Sequence, residues 1–200
     1  MTLSFNKEGE RNVITVVSGL PRSGTSMMMQ MLAAGGIGIV SDNQRKADED
    51  NPRGYYEEER VKRMKHDAAW LDECRGKVVK VISMLLFDLP PGRDYKIIFM
   101  RRAMDEILAS QKVMLQRRGE NEDNIPDQEM ALKFAKHMRQ VEEWLGKQDN
   151  MAVLYVNYND IINDTKNGVE CINKFMGNQL NEKAMVKTVE HSLYRQRKTA

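Results

Sequence analysis

Residues Val13 to Met31 read VITVVSGLPRSGTSMMMQM. The β-branched run Val13, Ile14, Thr15, Val16, Val17 reads as a buried strand, and it breaks at Gly19 into a loop, Leu20-Pro21-Arg22-Ser23-Gly24, before a helix-favouring run rich in methionine. Strand, glycine loop and helix together make an anion cradle, because successive backbone N–H groups and the amino end of the helix point at one spot. The helix dipole contributes only about 0.3 to 2 kcal/mol, so the cationic side chain of Arg22 is expected to share the task. The methionines read as core filler beneath the helix, which stops at Gly35-Gly36.

Working outward, Lys77 to Leu86 and Asp94 to Met100 read as further apolar strands, separated by Pro90-Pro91-Gly92. Met151 to Val156 supplies another. Ala103 to Gln116 and Asp127 to Gly146 read as helices, the second with Met130, Phe134, Met138, Val141 and Leu145 at three- and four-residue steps. Tyr55 to Cys74 is expected to be a helix that buries Val61, Met64, Ala68, Trp70 and Leu71. A last helix ends at Gly177. Strands alternating with helices imply an α/β fold with a largely parallel central sheet, whose ligands sit at the carboxyl ends of the strands.

The 200 residues, 41% of them hydrophobic, suit one domain over 1–200, with residues 1–12 and 192–200 as frayed ends. Lys and Arg number 31 against 29 Asp and Glu, a net charge of +2, which gives no electrostatic reason to expect a nucleic-acid partner. Cys74 and Cys171 stand apart without metal-ligand spacing, and no run of 18 apolar residues occurs. The expectation is a cytoplasmic protein with no metal site and no membrane span.

Gly19 to Ser26 fits a nucleotide phosphate loop except that Thr25 stands where such loops carry lysine. Enzymes of ATP and GTP use that lysine with Mg²⁺, and no apolar run ending in a metal-binding Asp accompanies the loop. The stretch Pro21-Arg22-Ser23-Gly24-Thr25-Ser26 resembles the 5′-phosphosulfate loop of the sulfotransferase superfamily, in the PRSGT form of tyrosylprotein and many bacterial members; cytosolic members have lysine at the Arg22 position. Ile97 to Arg102, followed by Ser110, is similar to the family's 3′-phosphate motif and selects Arg102 and Ser110, with Arg101 competing. Val153 to Asp160 resembles the family's strand ending in Tyr-Glu-Asp, with Tyr158 as the tyrosine near the nucleotide and Asn159 in place of the glutamate.

The resemblance spans residues 13 to 160. It implies a three-layer, P-loop NTPase-like fold and transfer of a sulfuryl group from 3′-phosphoadenosine 5′-phosphosulfate (PAPS) to a small-molecule or peptide acceptor, leaving 3′,5′-ADP, with no metal required. Gly19, Arg22, Ser23, Gly24, Thr25 and Ser26 would hold the phosphosulfate; Arg102, Ser110 and Tyr158 would hold the rest of the nucleotide. Arg22 would stabilise the leaving bridge oxygen. For the base, Asp42 falls twenty residues after Arg22, the spacing of the tyrosylprotein enzymes' catalytic glutamate; Asp48, Asp50, Glu57 and His66 compete with it. Lys80, a lone charge in an apolar strand, either snorkels at an edge or points into the site; the tail's Arg195, Arg197 and Lys198 stand where cytosolic members close a basic loop over the 3′-phosphate, but the family's Arg-Lys-Gly is absent and the tail reads as solvated. A kinase using ATP and a non-catalytic nucleotide-binding module are the alternative readings, separable by preference for Mg·ATP or for 3′,5′-ADP.

Overall fold

A computed structural model describes residues 12–119, 125–190, Ser192 and Tyr194. The frayed ends expected at 1–12 and 192–200 fall mostly outside those residues, as do Arg195, Arg197 and Lys198.

The strands form one five-stranded sheet: β1 (Ile14–Gly19), β2 (Gly38–Val40), β3 (Lys77–Lys80), β4 (Tyr95–Arg101) and β5 (Met151–Asn157), in the order β2-β3-β1-β4-β5. Every pairing is parallel. Parallel strands covered on both faces read as continuous apolar runs rather than alternations, and β1 is buried along its whole length. Its residues nevertheless divide by face. Ile14 and Val16 pack with Tyr95, Ile97, Phe99, Trp70, Leu71, Leu86, Val141 and Leu145. Val17 packs on the other side with Ile98, Met100, Met28, Met29, Met31, Leu32 and the apolar side chains of the carboxyl-terminal helices.

Helices α1 (Thr25–Ala34), α2 (Met104–Arg118), α3 (Asp127–Leu145), α4 (Tyr158–Asn163), α5 (Thr165–Phe175) and α6 (Glu182–Thr188) flank the sheet. Burial of Met28, Met29 and Met31 under α1 agrees with their reading as core filler. Two expectations need correction. Residues 55–74 are not one helix but two short 3₁₀ turns, Glu59–Arg63 and Ala69–Cys74. The buried pairs Val61/Met64 and Leu71/Cys74 recur at a spacing of three, the 3₁₀ period, so the right residues are buried by a different geometry. The strand expected over 77–86 ends at Lys80, and a 3₁₀ turn, Ser83–Asp88, follows. The three residues of β2 are too few to give a periodic signal.

Register brings the strand ends level. Gly19 lies opposite Met100, Val17 opposite Lys80, and Arg101 opposite Asn157. The residues that follow β1, β3, β4 and β5 therefore meet at the carboxyl edge of the sheet.

Candidate active site

The loop after β1 reaches α1 through three residues in the left-handed region: Gly19 (φ 148°), Arg22 (φ 70°) and Gly24 (φ 97°). At two of these only glycine fits. A Cβ on Gly24 would stand 2.5 Å from the Tyr158 ring, and one on Gly19 would stand 2.6 Å from the carbonyl oxygen of Met100. Gly24 caps α1 without a side-chain hydrogen bond. The first N–H groups of α1 therefore face the cleft with no side-chain acceptor, the arrangement that receives an anion at a helix start.

A cleft of about 320 Å³ opens above this loop. Gly19, Arg22, Gly24, Thr25, Ser26, Arg102, Ser110 and Tyr158 all line it, so most of the residues chosen for the donor come together. Ser23 does not. Its hydroxyl is buried under the loop with no partner among the described residues, and its N–H donates to Leu20 O at 3.2 Å. The structure thus keeps Ser23 inside the loop rather than in the cleft.

Arg22 is the hub of this end of the cleft. Its Nε donates to Ser110 Oγ at 2.9 Å, its Nη2 donates to the carbonyl of Asp50 at 3.2 Å, and its own carbonyl accepts from Arg102 Nη1 at 3.1 Å. The two motifs, distant in sequence, are joined through this one residue. Burial lowers the basicity of Arg22, partly offset by the Asp50 charge. Arg102 is held on its other side by Glu106, Nε to Oε2 at 2.8 Å, and lies over the rings of Tyr158 and Tyr194 at 4.6 and 5.6 Å. Arg101 points elsewhere, to Glu142 at 2.8 Å and over the Tyr155 ring, and it does not line the cleft that Arg102 lines.

Glu106 went unremarked in the sequence. It is 3% exposed and accepts from Arg102, Asn159 and Tyr194, the last at 2.5 Å. Burial pushes its carboxyl up, but the bonds from Tyr194 and Arg102 outweigh this and hold it below the usual glutamate range. Its place four residues after Arg102 is the one sequence signal that marks it. Asn159, where the family motif has glutamate, donates to this carboxylate.

The opposite end of the cleft is built from residues 41–57 and the end of β3. Lys80 is 7% exposed, donates to the carbonyl of Tyr55 and lies 3.5 Å from Glu57. Burial lowers its ammonium pKa to about 8. Glu57 is paired with Arg45 as well, at 3.1 Å. Arg45 stacks over Tyr55, whose hydroxyl donates to Asp48 at 2.7 Å. Burial and that carboxylate raise the pKa of Tyr55.

Of the five base candidates, Glu57 and Asp50 line the cleft. The Asp50 carboxylate is taken by Arg117 at 2.7 Å. Asp42 is not part of the lining. Its two oxygens accept the N–H groups of Gln44 and Glu59, at 2.9 and 2.8 Å, and its own N–H donates to Glu57 O. It pins the backbone at Glu57 and Glu59. Asp48 is turned to Tyr55 and the N–H groups of Asp50 and Asn51, and His66 is exposed outside the cleft. Other side chains brought to the cleft without a sequence signal are Asn51, whose amide donates to Ser26 Oγ at 2.8 Å, and Arg117.

With this geometry the comparisons with known proteins agree. A family model described as a sulfotransferase domain matches residues 14–200. The chain belongs to the sulfotransferase domain family. Among solved structures it is similar to the sulfotransferase domain from the curacin biosynthetic pathway, at 12% identity and a TM-score of 0.54, covering 92% of this chain and 83% of that one. It is also similar to the sulfotransferase domain from the Synechococcus PCC 7002 olefin synthase, at 15% identity and a TM-score of 0.53, covering 96% and 83%. At such identities these structures speak for the fold: a parallel sheet flanked by helices, of the P-loop NTPase-like kind. No curated protein matches the sequence. Among the described residues no helix is long and apolar enough to cross a membrane. The sulfotransferase domain is a transferase domain.

Proposed function

We propose that this sulfotransferase takes its sulfuryl group from PAPS and passes it to a hydroxyl or amine of a small-molecule acceptor. The observation that supports this reading is that the start of α1 behind Gly24, which no side chain caps, lines the same cleft as Arg102 and Ser110. PAPS has an anionic group at each end of its ribose, so a donor of that shape spans both. Gly24, Thr25 and Ser26 hold the phosphosulfate; Arg102 and Ser110 hold the 3′-phosphate, each charge-assisted bond contributing about 1.5 to 3 kcal/mol. Tyr158 walls the nucleotide beside Gly24. Thr25 in place of a lysine suits a phosphosulfate better than the β- and γ-phosphates of ATP. The unpaired Cys74 and Cys171 suit a reducing compartment such as the cytoplasm.

In the transfer, the acceptor oxygen or nitrogen attacks sulfur in line as the bond from sulfur to the bridge oxygen breaks, and the electron pair stays on the 5′-phosphate of the departing 3′,5′-ADP. Arg22, with a guanidinium at the loop, stabilises the charge that grows on the bridge. Glu57 takes the acceptor proton, and Lys80 beside it holds the oxygens of the sulfuryl group while Asp42 keeps the Glu57 backbone in place. Positioned bases of this kind contribute about 10²- to 10⁴-fold in rate.

Calorimetry with 3′,5′-ADP and with Mg·ATP tests the donor class. Tight binding of 3′,5′-ADP in the absence of metal is expected; preference for Mg·ATP would falsify the reading.

A further inference from the structure

Arg102 enters the cleft from a buried mount, its side chain only 8% exposed. On the loop side its Nη1 donates to Arg22 O; on the other its Nε donates to Glu106, and its guanidinium lies over the rings of Tyr158 and Tyr194. Neither Glu106 nor Tyr194 lines the cleft. A buried carboxylate here works against the site. It is bonded to the arginine read as a ligand of a doubly charged phosphate, and burial leaves little water to screen the two anions. Left to itself, that charge would hold Arg102 and oppose the phosphate.

The structure gives Glu106 two further donors. Tyr194 donates its hydroxyl to Oε1 at 2.5 Å, and Asn159 Nδ2 donates to the two carboxylate oxygens at 3.1 and 3.3 Å. Asn159 Nδ2 also donates to the Tyr194 oxygen at 2.7 Å. A phenol that accepts from an amide has its one proton left to give, so Asn159 turns the Tyr194 proton toward Glu106. The charge is thereby shared among an arginine on the approach to α2, an amide on α4 and a phenol from the tail beyond α6. The Tyr158 ring meets the Tyr194 ring edge-on, with centroids 5.6 Å apart, and keeps it in place.

We propose that Tyr194 is a positioning residue for donor recognition, which sets Arg102 toward the 3′-phosphate through Glu106 without touching the nucleotide. This rests on the reading of Arg102 and Ser110 as the 3′-phosphate site. The Tyr194 hydroxyl takes up part of the Glu106 charge and so leaves more of the Arg102 charge to the phosphate. Its ring limits the swing of the guanidinium, which reduces the ordering that the nucleotide must impose.

The experiment is calorimetry on the full chain with 3′,5′-ADP and with 5′-AMP, which lacks only the 3′-phosphate. Tyr194→Phe, which removes one oxygen and keeps the ring, is expected to weaken 3′,5′-ADP about five- to tenfold and to leave 5′-AMP within about twofold, as loss of part of a charge-assisted bond would. Tyr194→Ala should lose at least as much, again for 3′,5′-ADP alone. In a Glu106→Gln background the Phe change should add less than about twofold, because the charge that Tyr194 shares is gone. Equal losses for the two nucleotides, no loss for either, or a Phe effect that persists in full beside Glu106→Gln overturns the proposal. Wild-type protein that binds 3′,5′-ADP no more tightly than 5′-AMP overturns the 3′-phosphate reading itself, and the role of Tyr194 with it.

Discussion

At the donor end of the cleft, Gly19, Arg102 and Tyr158 sit at or just past the carboxyl ends of three hydrogen-bonded parallel strands. At the acceptor end, Arg45, Tyr55 and Glu57 hang on residues 41–76, whose only regular structure is two 3₁₀ turns. The donor end is aligned by the sheet register, so its geometry follows from the fold. The acceptor end is held by side chains: Arg45 on Glu57 and Tyr55, Asp48 on Tyr55, Asp42 on the backbone around Glu57. A scaffold that fixes one substrate and a looser loop that shapes the other is the usual division between rigid framework and functional loop. On the proposed reading the difference sets where substitutions are expected to act: nucleotide binding at the donor end, turnover at the acceptor end.

The sharpest way to break this contrast is Glu57→Gln. Loss of about 10²- to 10⁴-fold in transfer rate is expected, with 3′,5′-ADP affinity unchanged by calorimetry. An equal loss of nucleotide affinity would erase the distinction between the two ends. Next in size, Arg102→Ala is expected to weaken 3′,5′-ADP about 10- to 100-fold, the worth of a charge-assisted contact, while 5′-AMP affinity barely moves. Equal losses for the two nucleotides would remove Arg102 from the 3′-phosphate.

Gly24→Ala sets a Cβ against the Tyr158 ring at a positive φ. Destabilisation of about 1 to 3 kcal/mol is expected in urea unfolding, together with weaker nucleotide binding; the same change at Gly92, which has open space around it, should do neither.

The smallest effect is that of pH. Lys80, lowered by burial to about 8, loses its charge as pH rises through that value, so transfer should fall above pH 8 and hold in Lys80→Arg. Stability moves the other way. Between pH 8 and 10.5 the unfolded chain keeps the Lys80 proton that the folded chain has released, so stability gains with pH across that window. Lys80→Met should flatten this slope in unfolding experiments.

The same contrast explains what could be read from the sequence. The donor end is legible because a tight turn, a helix start and a strand end each demand particular residues at fixed spacing: glycines at 19 and 24, Arg102 just past the end of β4, a serine eight residues on. The acceptor end offers no such demand. Asp42 matched a spacing and turned out to cap backbone N–H groups, whereas Glu57, one of several carboxylates in a charged stretch, is brought to Lys80 only by the path of the loop. Short elements escaped for a related reason. Three residues of β2 carry no period, and an apolar run such as Val81 to Leu86 reads equally as strand or turn. At the tail, Tyr194 is not solvated but docked on Glu106, a contact that no local pattern announces.

The most direct test is a crystal structure with 3′,5′-ADP bound. The account predicts the 5′-phosphate on the first N–H groups of α1 with the Thr25 and Ser26 hydroxyls, and the 3′-phosphate between Arg102 and Ser110. A nucleotide bound away from Arg102 and Ser110, or with its 5′-phosphate off the loop from Gly19 to Ser26, would contradict it.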